Sequence, residues 1–427
     1  MRPTFKFSAV TWLGVWTVYA VLLWVLPFAF PSEFSLSVMS QMGIAIVACL
    51  SYNVLLGQGG MLSFGHSVYT GLSAFVAVHV LNRIGEAHWP IPVSLLPAIG
   101  GVAGWILATV LGAVTTRKSG TPFAMITLGL VELVFAMALM VPEFFGGEGG
   151  VTANRTVGPA FMGLTFGPQI QVYYLLAAYT FVCTVLLYAF TSTPLGRLLN
   201  AVRDNPERIE FLGFSAQRVR YLGFMVSGFF AGVAGGMYAL NFEIATAEVV
   251  GAARSGAYLL FTFLGGATVF GGPILGGVMM VLATALLSEW TKAWLLYLGF
   301  IFLVMVIHAP GGLAGWLLAN LQMARRGKIG GLLGGYLALA STASTVVLGL
   351  GAVVEMTYHL QLNEALGPEL RFMGLTLNAR WVDHWVGATL VAAVGASLFV
   401  VARRQFAADW QQALSPGPTD QKQRLSP

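Results

Sequence analysis

Long apolar runs recur along almost the whole chain, and short polar stretches separate them. Hydrophobic residues make up 57% of the 427 residues and charged residues only 9%, and the mean hydropathy is +0.78. A soluble protein of this length needs far more polar surface, whereas runs of about 20 apolar residues match a membrane-spanning helix. The sequence therefore predicts an all-α polytopic membrane protein.

The apolar runs define twelve predicted spans, ten in a core and two near the C-terminus. They lie near residues 9–28, 37–56, 64–82, 93–115, 121–141, 170–190, 221–240, 257–270, 273–290, 294–309, 331–354 and 385–402. Of the 22 Lys and Arg residues, 16 then lie on the cytoplasmic side and 6 outside, as the positive-inside rule favours. A re-entrant path for 257–270 would change this division to 12 and 10, so a crossing is favoured despite its short length.

Both termini are accordingly predicted to be cytoplasmic. The first run follows a short basic start but ends in Pro27-Phe28-Ala29-Phe30-Pro31, which offers no small-residue cleavage site. It is therefore interpreted as a retained span rather than a signal peptide. The predicted location is a bacterial inner membrane.

The segment 196–220 is charged but has an apolar side as well. Five arginines cannot lie in hydrocarbon and mark this loop as cytoplasmic: Arg197, Arg203, Arg208, Arg218 and Arg220. The apolar side comes from Ala201, Val202, Ile209, Phe211 and Leu212. A solvated connector does not need such a side, so the segment is predicted to dock onto another protein.

Two glycine-rich segments interrupt the helical pattern, one in each half of the first 310 residues. The first is Gly57-Gln58-Gly59-Gly60, after which Ser63 can cap a new helix. The second runs from Leu264 to Pro273. Paired interruptions of this kind indicate an internal repeat with a transport path at its interface. Close packing of helices through small residues is the alternative interpretation.

The sequence carries no motif for several other classes of function. Gly327-Lys328 is followed by Ile329, so no phosphate-binding loop is present, and the six histidines are scattered. Cys49 and Cys183 both lie in apolar runs, which argues against disulfides and thiolate metal sites. The positive charge is interpreted as a topology signal rather than nucleic-acid binding.

Two polar residues inside predicted spans need an explanation. His66, at the start of a span, is interpreted mainly as a structural histidine. Glu132 lies well inside the run 121–141, where a carboxylate must be paired, solvated or protonated. Hydrogen bonding between helices and a role in transport both remain open for Glu132.

Several motifs together resemble the permease family of branched-chain amino acid ABC importers, and in particular its LivM-type subunit. They occur in family order across about residues 37 to 315. The motifs are Leu56–His66, Phe123–Leu128 with Glu132, Gly146–Val151, Ala201–Arg208 with Leu212-Gly213, Ala231–Gly236, and Gly265-Gly266 to Gly276-Gly277.

The resemblance implies a permease that works by alternating access and is not itself an enzyme. Its expected partners are a second permease subunit (LivH-like or a second copy), two cytoplasmic ATPase subunits, a periplasmic substrate-binding protein and membrane lipid. No cofactor is expected on this chain, because ATP would be bound by the ATPase subunits.

The resemblance also assigns residues to two sites. An ATPase-coupling loop is assigned to Arg203, Asp204, Asn205, Glu207, Arg208 and Gly213. A translocation path is assigned to Gln58, Gly59, Gly60, Ser63, His66, Thr127, Glu132, Gly265 and Gly266. The charged coupling residues are expected at the rim of the docking surface, around its apolar side.

The chain is predicted to consist of a permease domain at 1–320, an extension with two spans at 321–402, and a disordered cytoplasmic tail at 403–427. A typical family member would end near residue 320. Branched-chain or related amino acids are the expected substrates, with urea or short amides as alternatives. An ion-coupled secondary transporter is the alternative from another class, for which Glu132 is the one clear candidate carboxylate.

Overall fold

The computed structural model describes residues 9–87, 89–157, 165–291, 293–309, 311–325, 329–362 and 367–414. Helices dominate these residues, which confirms the predicted all-α polytopic class. The helices are α1 (Ala9–Ala29), α2 (Glu33–Asn53), α3 (His66–Ala87), α4 (Leu96–Thr115), α5 (Thr121–Met140), α6 (Pro142–Phe145), α7 (Gln169–Ser192), α8 (Pro194–Asp204), α9 (Pro206–Phe211), α10 (Ala216–Phe242), α11 (Ala252–Gly265), α12 (Gly272–Leu282), α13 (Ser288–Trp290), α14 (Trp294–His308), α15 (Gly312–Arg325), α16 (Ile329–Leu362) and α17 (Val382–Leu414).

Four short strands form two antiparallel pairs in the described part of the chain. They are β1 (Val151–Thr152), β2 (Ile244–Ala245), β3 (Glu369–Phe372) and β4 (Leu375–Asn378). β1 pairs with β2, and β3 pairs with β4. A π-helical turn directly follows α2, at Val54–Gln58, and another directly follows α12, at Ala283–Leu287.

Seven described helices are long and apolar enough to cross a membrane, and α14 with α15 would add an eighth as one bent span. The sequence predicted twelve spans. α1 and α12 are apolar but shorter. α11 has 14 residues and is about 21 Å long, so it does not cross a core of about 30 Å by itself. The complete crossing at 257–270 stays a prediction.

The chain divides into two compact units, and the first comprises Met1–Leu286 and Ile301–Gly315. α10 lies at its centre and packs on α4 through small residues. A side chain at Gly100, Gly104, Gly228 or Gly232 would collide with the backbone or Ala108 of the facing helix. The glycines of α10, of which Gly232 belongs to the motif Ala231–Gly236, therefore allow close helix packing, as is common in membranes.

The second unit comprises Leu287–Phe300 and Trp316–Pro427. In it, α16 and α17 form a long antiparallel pair, with Gly349 against the backbone of Ala392. The β3–β4 hairpin packs beside them over a small core that includes Met356 and Ala388.

The C-terminal part of α17 differs from its prediction. Residues 403–414 were predicted to be disordered, but α17 continues to Leu414. Phe406 explains the difference, because its ring lies 4.7 Å from that of Tyr336 and anchors this end of the helix. Residues 415–427 lie outside the described part, and the predicted domain boundary at residue 320 stays a prediction.

Candidate coupling and translocation site

The first glycine break, residues 57–65, separates α2 from α3. The π-helical turn ends at Gln58, and Gly60 has a φ of +64°, a conformation that favours glycine. The backbone then stays non-helical until His66. Three glycines in four residues lower helix propensity, so the sequence predicted this interruption correctly.

Ser63 accepts two hydrogen bonds near the end of this break, but it does not cap α3 as predicted. Its hydroxyl accepts a hydrogen bond from the N–H of Gly65 at 3.3 Å, while α3 begins only at His66. Its carbonyl accepts one from the hydroxyl of Tyr52 at 2.9 Å. Thr127 of α5 fixes the neighbouring backbone, because its Oγ1 accepts from the N–H of Phe64 at 3.1 Å.

His66 joins three helices. Its Nε2 lies 2.8 Å from Oγ of Ser51 in α2, and its backbone N–H donates to Oγ of Ser255 in α11 at 2.9 Å. The rings of Tyr52 and Tyr258 pack edge-on against the imidazole. The side chain is fully buried. This arrangement favours the structural interpretation of His66.

The second glycine break, residues 265–272, connects α11 to α12. Gly265 lies directly against the backbone of Gly272 and Gly276, so the two helices form a tight hairpin. Gly266 has a φ of +113°. The carbonyl of Ala267 contacts Gly57, so the two glycine breaks meet.

Residues 249–250, which precede α11, pack against the first two turns of α3. The hydroxyl of Ser67, in the first turn of α3, donates to the carbonyl of Val250 at 3.1 Å. Gly71, one turn further on, also lies against Val250. α11 therefore starts within the depth spanned by α3, which explains why it needs only 14 residues.

The coupling segment, residues 194–214, contains α8 and α9 and contacts the first glycine break. The Nη1 of Arg203 donates to the carbonyl of Gly57, and the arginine side chain covers Gly60. The Nδ2 of Asn200 donates to Oε1 of Gln58 at 2.6 Å. Arg203 also pairs with Asp204 at 2.8 Å and keeps only 20% of its side-chain surface exposed. Its side chain therefore faces the transmembrane part of the chain.

The opposite side of the coupling segment is exposed and apolar. Phe211 is 90% exposed, Leu212 67% and Phe214 47%. Val202 and Ile209, which were predicted to share this apolar side, are instead buried within the chain. We call Phe211, Leu212 and Phe214 the docking face.

Two turns shape the docking face. The Oδ1 of Asn205 accepts from the N–H of Arg208 at 3.0 Å and caps α9. Gly213 ends that helix with a φ of +85°, and the N–H of Phe214 donates to the carbonyl of Ile209 at 3.2 Å. This is a Schellman arrangement, for which glycine is preferred. Asp204, Glu207 and Arg208 are exposed beside it.

Glu132 lies away from the glycine breaks, on the exposed side of α5. Its neighbours on that side include Leu133, 58% exposed, and Met137, 45% exposed. The opposite side of α5 is buried by Phe123, Thr127 and Val131. The structure thus brings together the coupling loop and both glycine breaks, but not Glu132.

The sequence prediction missed two contacts of this site. Asn200 lies three residues before Arg203 on α8, so helical spacing could have indicated that both residues share one face. Leu199 packs against Gly59 and Gly223. It carries no chemical signal, and only the fold reveals its position.

The chain matches the family model described as "Branched-chain amino acid transport system / permease component" over residues 34–309. The match covers more than half of the chain, so the chain belongs to this family. It is a multi-pass membrane protein of the permease class, a transport component rather than an enzyme. The predicted family membership is confirmed.

Named relatives agree with the permease class. The high-affinity branched-chain amino acid transport system permease protein LivM of Escherichia coli (strain K12) is 26% identical over 320 residues, 69% of this chain and 74% of LivM. The guanosine ABC transporter permease protein NupQ of Bacillus subtilis (strain 168) is 28% identical over 199 residues, 43% of this chain and 59% of NupQ.

A third relative is matched over most of its own length. The probable branched-chain amino acid transport permease protein LivH of Methanocaldococcus jannaschii is 24% identical over 272 residues, 59% of this chain and 82% of LivH. No solved structure matches the chain.

Proposed function

We propose that this chain moves branched-chain or related hydrophobic amino acids into the cytoplasm as one permease subunit of an ATP-driven importer. A periplasmic binding protein delivers the substrate, and two cytoplasmic ATPase subunits bind and hydrolyse ATP. The family match and the resemblance to LivM support this proposal.

The contact between Arg203 and Gly57 carries the mechanistic part of the proposal. An ATPase subunit that binds the docking face can displace α8. α8 in turn contacts the first glycine break through Arg203 and Asn200. The first break touches the second at Ala267. Movement of the coupling segment therefore reaches both interruptions of the membrane helices, where glycines permit a change of backbone conformation.

The exposed side of α5 is proposed to face the second permease subunit and the substrate path. A carboxylate in contact with lipid is unfavourable, and ionisable residues within membrane helices usually face a protein interior or a water-filled cavity. Glu132 on this side therefore indicates that the surface is covered by protein and water rather than by acyl chains. Either a LivH-like chain or a second copy can supply that cover.

Uptake in cells that lack the gene tests the proposed function. Labelled leucine, urea and guanosine are offered to the deletion strain and to strains complemented with wild type or the double variant Arg203→Ala, Glu207→Ala. We expect leucine uptake to disappear on deletion and to return with wild type but not with the variant. Loss of urea or guanosine uptake with normal leucine uptake would contradict the proposed substrate.

The source of energy separates the importer from an ion-coupled carrier. Uptake by the importer should fall when cellular ATP is depleted while the proton gradient is maintained. Uptake that instead follows the proton gradient at constant ATP would favour the carrier.

A further inference from the structure

The β3–β4 hairpin folds back along α16 instead of extending away from it. At the open end of the hairpin, the carbonyl of Gly367 lies 2.7 Å from Nε2 of His359. At the closed end, Phe372 contacts Gly351, since its Cζ is 3.0 Å from the position of a Cβ there. His359 and Gly351 are eight residues apart, which is about 12 Å along a helix. The hairpin tip therefore points toward the middle of α16.

The neighbouring helix α17 shows how deep this tip lies. Gly349 of α16 is level with residues 388–392 of α17, and Gly395 is level with Val346. By this register Gly351 lies beside about residue 389, inside the apolar stretch of α17 that begins after His384. Leu390 in that stretch is 58% exposed, as expected for a side chain that faces acyl chains.

The hairpin tip itself is apolar and exposed. Met373 is 77% exposed and Leu375 66% exposed. Met373 and Gly374 form the two-residue turn, with φ values of 49° and 85°, which matches a type I′ turn. Phe372 and Leu377 pack inward, so Met373 and Leu375 do not serve the core of the hairpin.

Residues at the open end of the hairpin suit the boundary between headgroups and acyl chains. Trp381, 60% exposed, and Val382, 72% exposed, lie at the start of α17. Tryptophan is enriched at this level of a membrane. Arg371 is exposed on β3 two residues before the tip, where a long basic side chain can reach lipid phosphates.

We infer that the β3–β4 hairpin is a lipid-binding element whose tip, Met373 and Leu375, inserts into the membrane leaflet at that end of α16 and α17. Membrane lipid is the occupant because the tip lies at the same depth as the lipid-facing residues of α17. The hairpin anchors the extension in that leaflet. The family match ends at residue 309, so this element lies beyond it.

Fluorescent labelling at single cysteines tests this inference. The full chain, with Cys49→Ala and Cys183→Ala, receives Met373→Cys and is labelled with an environment-sensitive nitrobenzoxadiazole group in phospholipid nanodiscs. The matched control is Glu369→Cys, an exposed position at the other end of β3. Leu375→Cys provides a second tip position.

We expect lipids with a shallow nitroxide to quench the labels at 373 and 375 several-fold more than the label at 369. Iodide in solution should show the opposite order. Equal iodide quenching at the three positions would overturn the inference. Protection of the tip from both quenchers would also overturn it, because protein rather than lipid would then cover Met373 and Leu375.

Discussion

Arg203 makes two contacts at once, with the carboxylate of Asp204 and with the carbonyl of Gly57. A hydrogen bond to a charged group contributes about 1.5–3 kcal/mol. That energy corresponds to roughly a 10- to 100-fold change in an equilibrium between two conformations. The contact with Gly57 is therefore strong enough to affect which conformation of the first glycine break is populated.

Gly60 allows a prediction that separates this contact from ordinary backbone strain. Gly60 and Gly120 have φ values of 64° and 67°, so alanine strains the backbone at either position. The strain at Gly120 is not the smaller one, because its ψ of −141° gives a conformation that essentially only glycine adopts. Only at Gly60 would the new Cβ lie 2.5 Å from Cγ of Arg203. We expect Gly60→Ala to reduce leucine uptake about tenfold or more.

Gly120→Ala is the matched control, since nothing lies within 4 Å of its Cβ position. It should lower the melting temperature through backbone strain and leave uptake near wild type. Uptake is normalised to the amount of protein in the membrane. Equal uptake by the two variants would show that the displacement of Arg203 has no effect on transport.

The hairpin of α11 and α12 depends on glycines at its contact. A Cβ at Gly276 would collide with the carbonyl of Phe261, whereas nothing lies within 4 Å of that position at Gly256. Overpacking a tight contact destabilises by about 1–3 kcal/mol. We expect Gly276→Ala to lower the melting temperature in detergent by several degrees relative to Gly256→Ala. Identical melting curves would mean that the two helices are not tightly packed.

The docking face gives a prediction about assembly. Truncating both Phe211 and Leu212 to alanine should remove an apolar anchor, and anchors of this kind contribute about 2 kcal/mol or more to an interface. We expect co-purification of the ATPase subunits to fall about tenfold or more while membrane insertion stays normal. Gln217→Ala, an exposed position outside the face, is the control. Undiminished co-purification would place the ATPase elsewhere.

The elements of the fold were predictable to different degrees. α5 and α7 lie within two residues of their predicted bounds, because uninterrupted apolar runs define helices in a membrane. The entry to α11 was not predictable, since it depends on contacts such as that between Ser67 and Val250, which are 183 residues apart. The fold-back of the β3–β4 hairpin depends likewise on tertiary packing against Gly351.

The candidate site was predictable as a set of motifs but not as an arrangement. Glycine composition indicated both breaks, yet their contact through Gly57 and Ala267 requires the folded chain. Arg203 was predicted at the rim of a docking surface, whereas its side chain lies against the glycine break. A charge in a cytoplasmic loop signals topology, but its direction depends on packing.

At the scale of the whole transporter, Glu132 tests which surface faces the second permease subunit. Glu132→Leu should improve partition into lipid if the exposed side of α5 meets acyl chains, and should impair transport if that side lines the path. We expect leucine uptake to fall at least tenfold with normal membrane insertion, and Glu132→Gln to retain more activity. Normal uptake by Glu132→Leu would indicate a lipid-facing surface.

The transport yield per ATP tests the central claim most directly. Wild type, Arg203→Ala and the exposed control Arg197→Ala are reconstituted with their partner subunits, and leucine uptake and ATP hydrolysis are measured together. Because Arg203 is proposed to connect the ATPase to the glycine breaks, Arg203→Ala should still hydrolyse ATP but transport about tenfold less leucine per ATP. An unchanged ratio in Arg203→Ala would contradict the proposed coupling route.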